Sequence, residues 1–534
     1  MSGDLIITDV RVRGVPAAGA IAVRDGVIVA IGSEADARAE IPRTAEHLDG
    51  RGGVVTPGLI DSHCHPSSSA GLARAVDLGE VRSWDGFLAA VRRAAEASRS
   101  RRDPSGWIHI WNVDYAVFAG RPITGGAFAE AALGLPCYVQ FFDGHTAVAT
   151  PRALAEAGVT GRERFSDAAI VVVDADGVPT GELRERSAFQ LVAAHLPQPG
   201  REAARSALIA QLRELARVGV TGAVSMDGTR ESLDLYEDID QAEGLGVRIV
   251  SALTHRQDFG ADEVADLIAQ RDRRGRRWRG GLIKLYHDGV IDTGTGWLYE
   301  PDTLGDGTAP FWPRPQRYRE VVADYARAGF QIATHAIGDR AVGQTIDAYL
   351  AAGVRSASGA PHRIEHLETL TDEDLGRAAR AGITISMQPL HMQWRHGDGS
   401  DSWARRLGPT RSARGWRAAD VLRAGATLVL GSDWPVAQFD PRIGMAWAML
   451  RRSPGDPDAP VFDGHLRLTG AQALHAYTRA AALAIGEARL GRLEVGALAD
   501  LAVFAEDPAT VGGDDIGALP VLATVVDGEV THRR

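Results

Sequence analysis

Asp61-Ser62-His63-Cys64-His65 closes an apolar run, Val54-Val55-Thr56-Pro57-Gly58-Leu59-Ile60. If the run is a strand, successive side chains alternate faces, so His63 and His65 point one way and Cys64 the other. Two imidazoles one strand repeat apart are a ready pair of metal ligands. The same spacing also arises by chance, so a site requires further ligands. The chain offers them far away: Lys284, His335, His366 and Asp433 each fall at or near the end of another apolar run. Lys284 is the single lysine among 58 basic residues. Arginine serves wherever an ordinary surface cation is wanted, so the lone lysine marks a place where a primary amine is needed and a guanidinium fails.

These residues need elements that bring them together, and the middle of the chain repeats a helix-then-strand grammar. Arg217-Val218-Gly219-Val220, Arg327-Ala328-Gly329-Phe330, Arg380-Ala381-Gly382-Ile383 and Arg423-Ala424-Gly425-Ala426 each join a helical pattern to an apolar run. Each glycine suits the left-handed position just past a helix end. Ahead of Gly219, Ala204, Leu208, Leu212 and Leu215 form one apolar stripe. Eight strands follow from this pattern: Leu59 to His65, Val220 to Met226, Val247 to Leu253, Leu282 to His287, Gln331 to His335, Arg363 to His366, Ile383 to Met387, and Thr427 to Gly431. The class is α/β, a (β/α)8 TIM-like barrel, in which chemistry sits at the strands' C-terminal ends.

Both chain ends read as short strands, with Arg24-Asp25-Gly26 as a hairpin turn near the start. Neither patch is large enough for a stable sheet alone. We expect residues 1–55 and 485–534 to pair into one small β-sandwich domain. The barrel then occupies residues 56–484. The stretch from about 66 to 200 is too long for a loop and is expected to form a subdomain over the mouth.

Composition bounds the remaining choices. A chain of 534 residues, 45% hydrophobic and 24% charged, is ordinary for a soluble globular protein. The formal charge of −11 argues against nucleic acid as a partner. The Arg271-Asp272-Arg273-Arg274-Gly275-Arg276-Arg277 run is read as a solvated face. No apolar run is long enough to span a membrane, and the first residues lack a signal-peptide pattern. Two cysteines cannot build a disulfide framework, which points to a reducing cytoplasm. A small-molecule substrate and a homodimer are the expected partners.

The motifs together resemble the amidohydrolase superfamily, in the branch of the N-substituted formamide deformylases, over essentially the whole chain. They are Pro57-Gly58-Leu59-Ile60-Asp61-Ser62-His63-Cys64-His65-Pro66, Ile283-Lys284-Leu285-Tyr286-His287-Asp288-Gly289, Thr334-His335-Ala336-Ile337-Gly338-Asp339-Arg340-Ala341, Arg363-Ile364-Glu365-His366-Leu367, Ser386-Met387-Gln388-Pro389, Gly431-Ser432-Asp433-Trp434-Pro435-Val436 and Gly491-Arg492-Leu493-Glu494-Val495-Gly496. Val148 and Thr150 depart from the family, where an aromatic and an asparagine are common, which leaves the substrate open. The resemblance implies that His63, His65 and Asp433 hold one divalent ion and His335 and His366 a second, with carboxylated Lys284 as the bridge. Only a neutral primary amine forms such a carbamate, whereas a buried ion-pair role would suit arginine equally. Zinc is the expected ion, with manganese, iron or cobalt as alternatives. The implied chemistry is hydrolysis of an amide or N-substituted formamide by water acidified at the two ions, with Asp433 passing its proton to the leaving amine.

Cys64 is expected in the barrel wall and His287 on the far side of its strand. His145, His391 and Trp434 are candidate substrate contacts. Trp111, Tyr115, Trp297, Tyr299 and Trp394 are candidates for an aromatic pocket wall, and Asp339 and Arg340 are read as capping the next helix or, second, as ordering the site. Cyclic amide, carbamate or ester hydrolysis by the same site is the alternative activity. A catalytically silent scaffold is the alternative class, and it predicts missing ligands where none is missing.

Overall fold

A computed structural model describes residues 3–72, 75–100, 106–118 and 120–534. Eight parallel strands pair in chain order: Leu59–Cys64, Val220–Gly228, Arg248–Thr254, Trp278–Tyr286, Gln331–Ala336, Arg363–His366, Thr384–Met387 and Leu428–Leu430. Every strand expected from sequence is present, with ends shifted by a few residues. The first and last strands meet at the C-terminal rim: the Asp433 amide donates to the His63 carbonyl, and the His65 amide to the Trp434 carbonyl, both at 2.7 Å. Gly431 permits this approach, because a Cβ there would stand 2.6 Å from the His63 nitrogen. The residues that close the barrel thus flank those that could bind metal.

Helices cover the barrel as their spacing requires. In Arg201–Arg217, Leu208, Leu212 and Leu215 are buried, and the chain turns into the second strand at Gly219, whose φ is +86°. Each such leucine contributes about 1.5–3 kcal/mol by leaving water. Cys64 packs into this outer core with Leu208, Leu212 and Leu253. His287 also faces outward, stacked on Tyr318 with ring centroids 3.6 Å apart.

The chain ends join in one seven-stranded sheet ordered Glu529–Arg533, Val521–Val526, Leu501–Phe504, Glu46–Pro57, Leu5–Val12, Ala20–Arg24, Val27–Gly32. Asp25 and Gly26 both take positive φ, the requirement of a tight two-residue hairpin. Glu46–Pro57 leads through Gly58 straight into the first barrel strand.

Between the first two barrel strands, a six-stranded sheet runs Ile170–Val173, Pro179–Arg184, Thr146–Ala149, Cys137–Phe141, Ile108–Val113, Val76–Asp77. It has its own core around Phe87, Val91, Phe118, Phe128 and Phe141. Of the two roles expected of Asp339, capping is not the one it takes. The N-cap of helix Asp339–Ala352 is Gly338, and the Asp339 carboxylate instead accepts from the Tyr299 amide at 2.9 Å, tying a loop down. Among the described residues, no helix is long and apolar enough to cross a membrane.

Candidate metal centre and cavity

Strand pairing in register delivers the expected side chains to one place. His65 Nε2 lies 2.8 Å and His63 Nε2 3.3 Å from Asp433 Oδ1, and His366 Nδ1 lies 3.8 Å from Asp433 Oδ2. The His335 ring is centred 4.5 Å from that of His366. Ligand atoms of His63, His366 and Asp433 all fall within 4.8 Å of one another. Lys284 lines the same cavity, its Nζ 5.0 Å over the Tyr286 ring. Among the described residues no carboxylate stands within ion-pair distance of it. His366 and Asp433 take φ of +78° and +57°, a strained region for residues with side chains that concentrates at functional sites.

His63 Nε2 and His366 Nδ1 are buried without a hydrogen-bond partner. Leaving such an atom unsatisfied costs about 1–3 kcal/mol. Two orphaned imidazole nitrogens facing one carboxylate fit a divalent cation, which takes lone pairs from all three.

Behind these groups, other side chains fix their orientation. His63 Nδ1 donates to Glu365 Oε2 at 2.7 Å, which leaves the Nε2 lone pair facing the cluster. Glu365 is held by Arg363, with Nε to Oε1 at 2.5 Å and Nη2 to Oε2 at 3.0 Å, and Arg363 also donates to the Ser62 carbonyl at 2.7 Å. His335 Nε2 donates to the Gly289 carbonyl at 3.0 Å, so its Nδ1 keeps the lone pair. Asp288 accepts from the amides of Trp297, Ile337 and Gly338 at 2.7–3.0 Å and ties the loops after strands four and five together.

The electrostatics follow from burial. Desolvation drives His335 and His366 well below the ordinary imidazole value, so both are neutral and able to ligate. Burial alone would raise Asp433, but the nearby His63 imidazole, with His391 and the hydrogen bond from His65, outweighs it and holds the carboxyl well below its usual range. Burial likewise opposes the charge on Glu365, and Arg363 and His63 overcome it. Desolvation lowers Lys284 to about 8, despite Glu365 and Asp433 nearby.

The cluster forms one wall of a cavity of about 410 Å³. His145 and His391 line it. Burial disfavours the charged form of each, but Glu185 beside His145, and Asp433 with Glu368 beside His391, raise both to about 9. His145 Nδ1 lies 2.8 Å from Glu185 Oε2. Trp434 is not part of the lining: its ring packs edge-on against Phe439, and only its backbone serves the rim. Trp111 and Trp394 reach the cavity, whereas Tyr115, Trp297 and Tyr299 do not. Cys64 stays outside, its Sγ 3.6 Å from the Val224 carbonyl.

Residues 46–532 match the sequence profile of the amidohydrolase family. The chain belongs to the amidohydrolase family. Coarse function follows membership: metal-dependent hydrolysis. This amidohydrolase is 29% identical to Protein LONG AFTER FAR-RED 3 of Arabidopsis thaliana, covering 98% of this chain and 91% of that one. It is 25% identical to the putative amidohydrolase YtcJ of Bacillus subtilis, covering 96% of both. With the N-substituted formamide deformylase of Arthrobacter pascens, identity is 26% over 99% of this chain and 98% of the relative. The fold also matches an uncharacterized metal-dependent hydrolase from Pyrococcus horikoshii, with TM-score 0.72 and 20% identity over 96% of this chain and 99% of the other.

Sequence reading of this amidohydrolase missed Glu365, Arg363 and Asp288 as supports, though all three lie inside motifs that carry the resemblance. It also missed Glu185, Glu368, Trp403 and Trp416 in the cavity wall. Charged residues beside a ligand in a strand are one available signal, since burial forces each to find a partner.

Proposed function

We propose that this amidohydrolase cleaves the carbon–nitrogen bond of an amide or formamide that carries an apolar substituent on nitrogen. The observation that carries the reading is the pair of orphaned nitrogens, His63 Nε2 and His366 Nδ1, facing Asp433 at the wall of a deep cavity. The choice of bond is supported by the formamide deformylase relative, matched over nearly its full length. An apolar substituent suits the cavity's aromatic wall, where Phe142 and Trp394 stack with centroids 4.0 Å apart and Trp403 and Trp416 contribute.

In this reading His63, His65 and Asp433 would hold one divalent ion and His335 and His366 a second, with zinc the best fit to nitrogen and oxygen donors. Ions bound there supply Lewis acidity, which acidifies water and polarises a carbonyl. Lys284 would help to hold the ions once its neutral amine adds to carbon dioxide, forming an N–C bond and losing a proton to give a carbamate. Its burial and its value of about 8 keep the neutral amine accessible near pH 7–8. Asp433 accepts the proton of the attacking water on its carboxylate and delivers it to the departing amine nitrogen. His145 and His391 present N–H donors that orient the substrate within the cavity.

A panel of N-formyl and N-acyl amines, incubated with metal-loaded protein and scored by amine release, tests the reading. Release from members with apolar substituents is expected. Hydrolysis confined to esters or cyclic amides would overturn the choice of bond.

A further inference from the structure

After the seventh barrel strand, the 3₁₀ helix Pro389–Trp394 sets His391 and Trp394 three residues apart, which puts both side chains on one face. Their ring centroids lie 5.4 Å apart. His391 Nε2 is 3.4 Å from Asp433 Oδ2, and its ring stacks over that of His366 at 6.0 Å. Trp394 thus extends the row of imidazoles away from the ligands as an apolar surface. Phe142, just past the insertion strand Cys137–Phe141, covers one face of Trp394, with centroids 4.0 Å apart and 16° between the ring planes.

The wall continues beyond Trp394. Arg395 Cζ lies 4.3 Å from the Trp403 ring centroid, and Trp403 stacks on Trp416 at 4.8 Å. Charged groups share this side. Arg395 Nε is 3.7 Å from Asp401 Oδ1, and Glu368 accepts from Trp403 Nε1 at 2.7 Å and lies 3.6 Å from His391 Nδ1. Asp292 also lines the cavity.

The His335 side of the centre is different. The turn that carries Phe142 presents His145 there, its ring centred 5.0 Å from that of His335. Asp143 fixes the turn by accepting from the His145 amide at 2.9 Å and the Tyr115 hydroxyl at 2.6 Å. Buried Glu185 donates its amide to the His145 carbonyl at 2.7 Å and sets Oε2 2.8 Å from Nδ1. Glu185 Oε1, buried without a partner, reaches so close over Gly289 that a Cβ there would stand 2.2 Å from it. That side is polar and close-packed, with no room for hydrocarbon between Glu185 and Gly289.

A carbonyl carbon held at the ions has an acyl side and an amine side. Asp433 must reach the leaving nitrogen to deliver its proton, and the apolar surface nearest Asp433 along this row is Trp394. We propose that Trp394, faced by Phe142, is the specificity-determining residue for the group on the leaving nitrogen, and that the acyl group points toward His145. This rests on the hydrolase reading above and gives its substrate a direction.

N-hexylformamide and N-methylhexanamide are isomers that carry their hydrocarbon chain on the nitrogen and on the carbonyl carbon respectively. Comparing each compound with itself between metal-loaded proteins cancels its intrinsic reactivity. In Trp394→Ala, kcat/KM for N-hexylformamide should fall at least about tenfold, mainly through KM, the scale on which an apolar pocket separates substrates that differ in hydrocarbon. The fall for N-methylhexanamide should be smaller. Phe142→Ala should act in the same direction, and Trp394→Phe, which keeps a ring against Phe142, should restore part of the loss. Ligand-observed NMR titration of N-hexylformamide into chelator-treated protein gives an arm independent of turnover, in which Trp394→Ala should again lose about tenfold in affinity. An equal or larger fall for N-methylhexanamide, or wild-type affinity in Trp394→Ala, overturns the assignment. So does a wild-type preference for N-(2-aminoethyl)formamide over N-hexylformamide, which would mean that Glu368 and Asp292 select a cation. Each of these outcomes leaves the hydrolase reading intact. No release from any member would count against that reading, and the titration would still decide the role of Trp394.

Discussion

His63 Nδ1 lies 2.7 Å from Glu365 Oε2 across 302 positions of chain, with both side chains wholly buried. The contact fixes which nitrogen of His63 carries the proton and therefore which one is free to bind metal. Glu365→Gln should weaken metal affinity by about 10–100-fold, as loss of an outer partner of a ligating histidine does. Glu365→Ala should in addition leave the fully buried Arg363 charge uncompensated and cost about 3–5 kcal/mol in urea unfolding. A Glu365→Gln protein that titrates with zinc as tightly as wild type would remove this role.

Lys284 makes a prediction about pH. Its amine is lowered to about 8, so it is charged below that value and neutral above it. Carbamate formation needs the neutral form. At equal concentrations of dissolved carbon dioxide, reconstitution of chelated protein with metal should therefore be faster at pH 9 than at pH 7, followed by returning activity. Lys284→Arg, which stays charged, should bind less metal and gain nothing from bicarbonate. Bicarbonate-independent reconstitution of wild type at every pH would argue against the carbamate.

Cys64 tests the strand geometry. It sits between two candidate ligands in sequence but packs in the barrel wall, where burial raises its thiol well above the ordinary range. Cys64→Ala should keep full metal stoichiometry and cost on the order of 1 kcal/mol of stability through lost packing. Loss of metal by this variant, measured by elemental analysis, would mean that the alternation of faces had been misassigned.

Asp433 is the proposed proton carrier. Asp433→Asn keeps the side chain's size but not its charge or basicity, so kcat should fall about 10²–10⁴-fold while the circular dichroism spectrum stays native-like. Turnover above about a tenth of wild type would exclude proton transfer through this residue, given how much general acid–base catalysis contributes.

Much of this arrangement was legible before any coordinates. Period-2 alternation separates His63 and His65 from Cys64, and glycines at helix ends mark where each strand begins, so eight strands and their polar tips can be counted directly. Supports were less legible. The partner of Glu365 lies some 300 residues away, and only strand order brings the first and sixth strands' residues together through the barrel interior. Trp434 shows the opposite limit. Its place beside Asp433 suggested a substrate contact, but at the barrel rim neighbouring side chains diverge, and the indole found an apolar partner in Phe439. Asp339 was read as a cap because such residues favour helix starts, yet its carboxylate answers a loop amide instead. The insertion was recognisable as an extra body by length alone, but its sheet, which supplies His145, Tyr138 and Glu185 to the cavity, depends on pairings that no local pattern reveals.

If the cluster of His63, His65, His335, His366, Lys284 and Asp433 is a metal-dependent centre for carbon–nitrogen hydrolysis, as proposed, turnover must follow its metal content. Amine release from N-benzylformamide, measured on purified protein before chelation, after chelation and after adding back zinc or manganese, tests it most directly. Release should disappear on chelation and return as metal is bound. Unchanged release in chelated protein, or no release alongside less than about half an equivalent of bound metal after reconstitution, would contradict it.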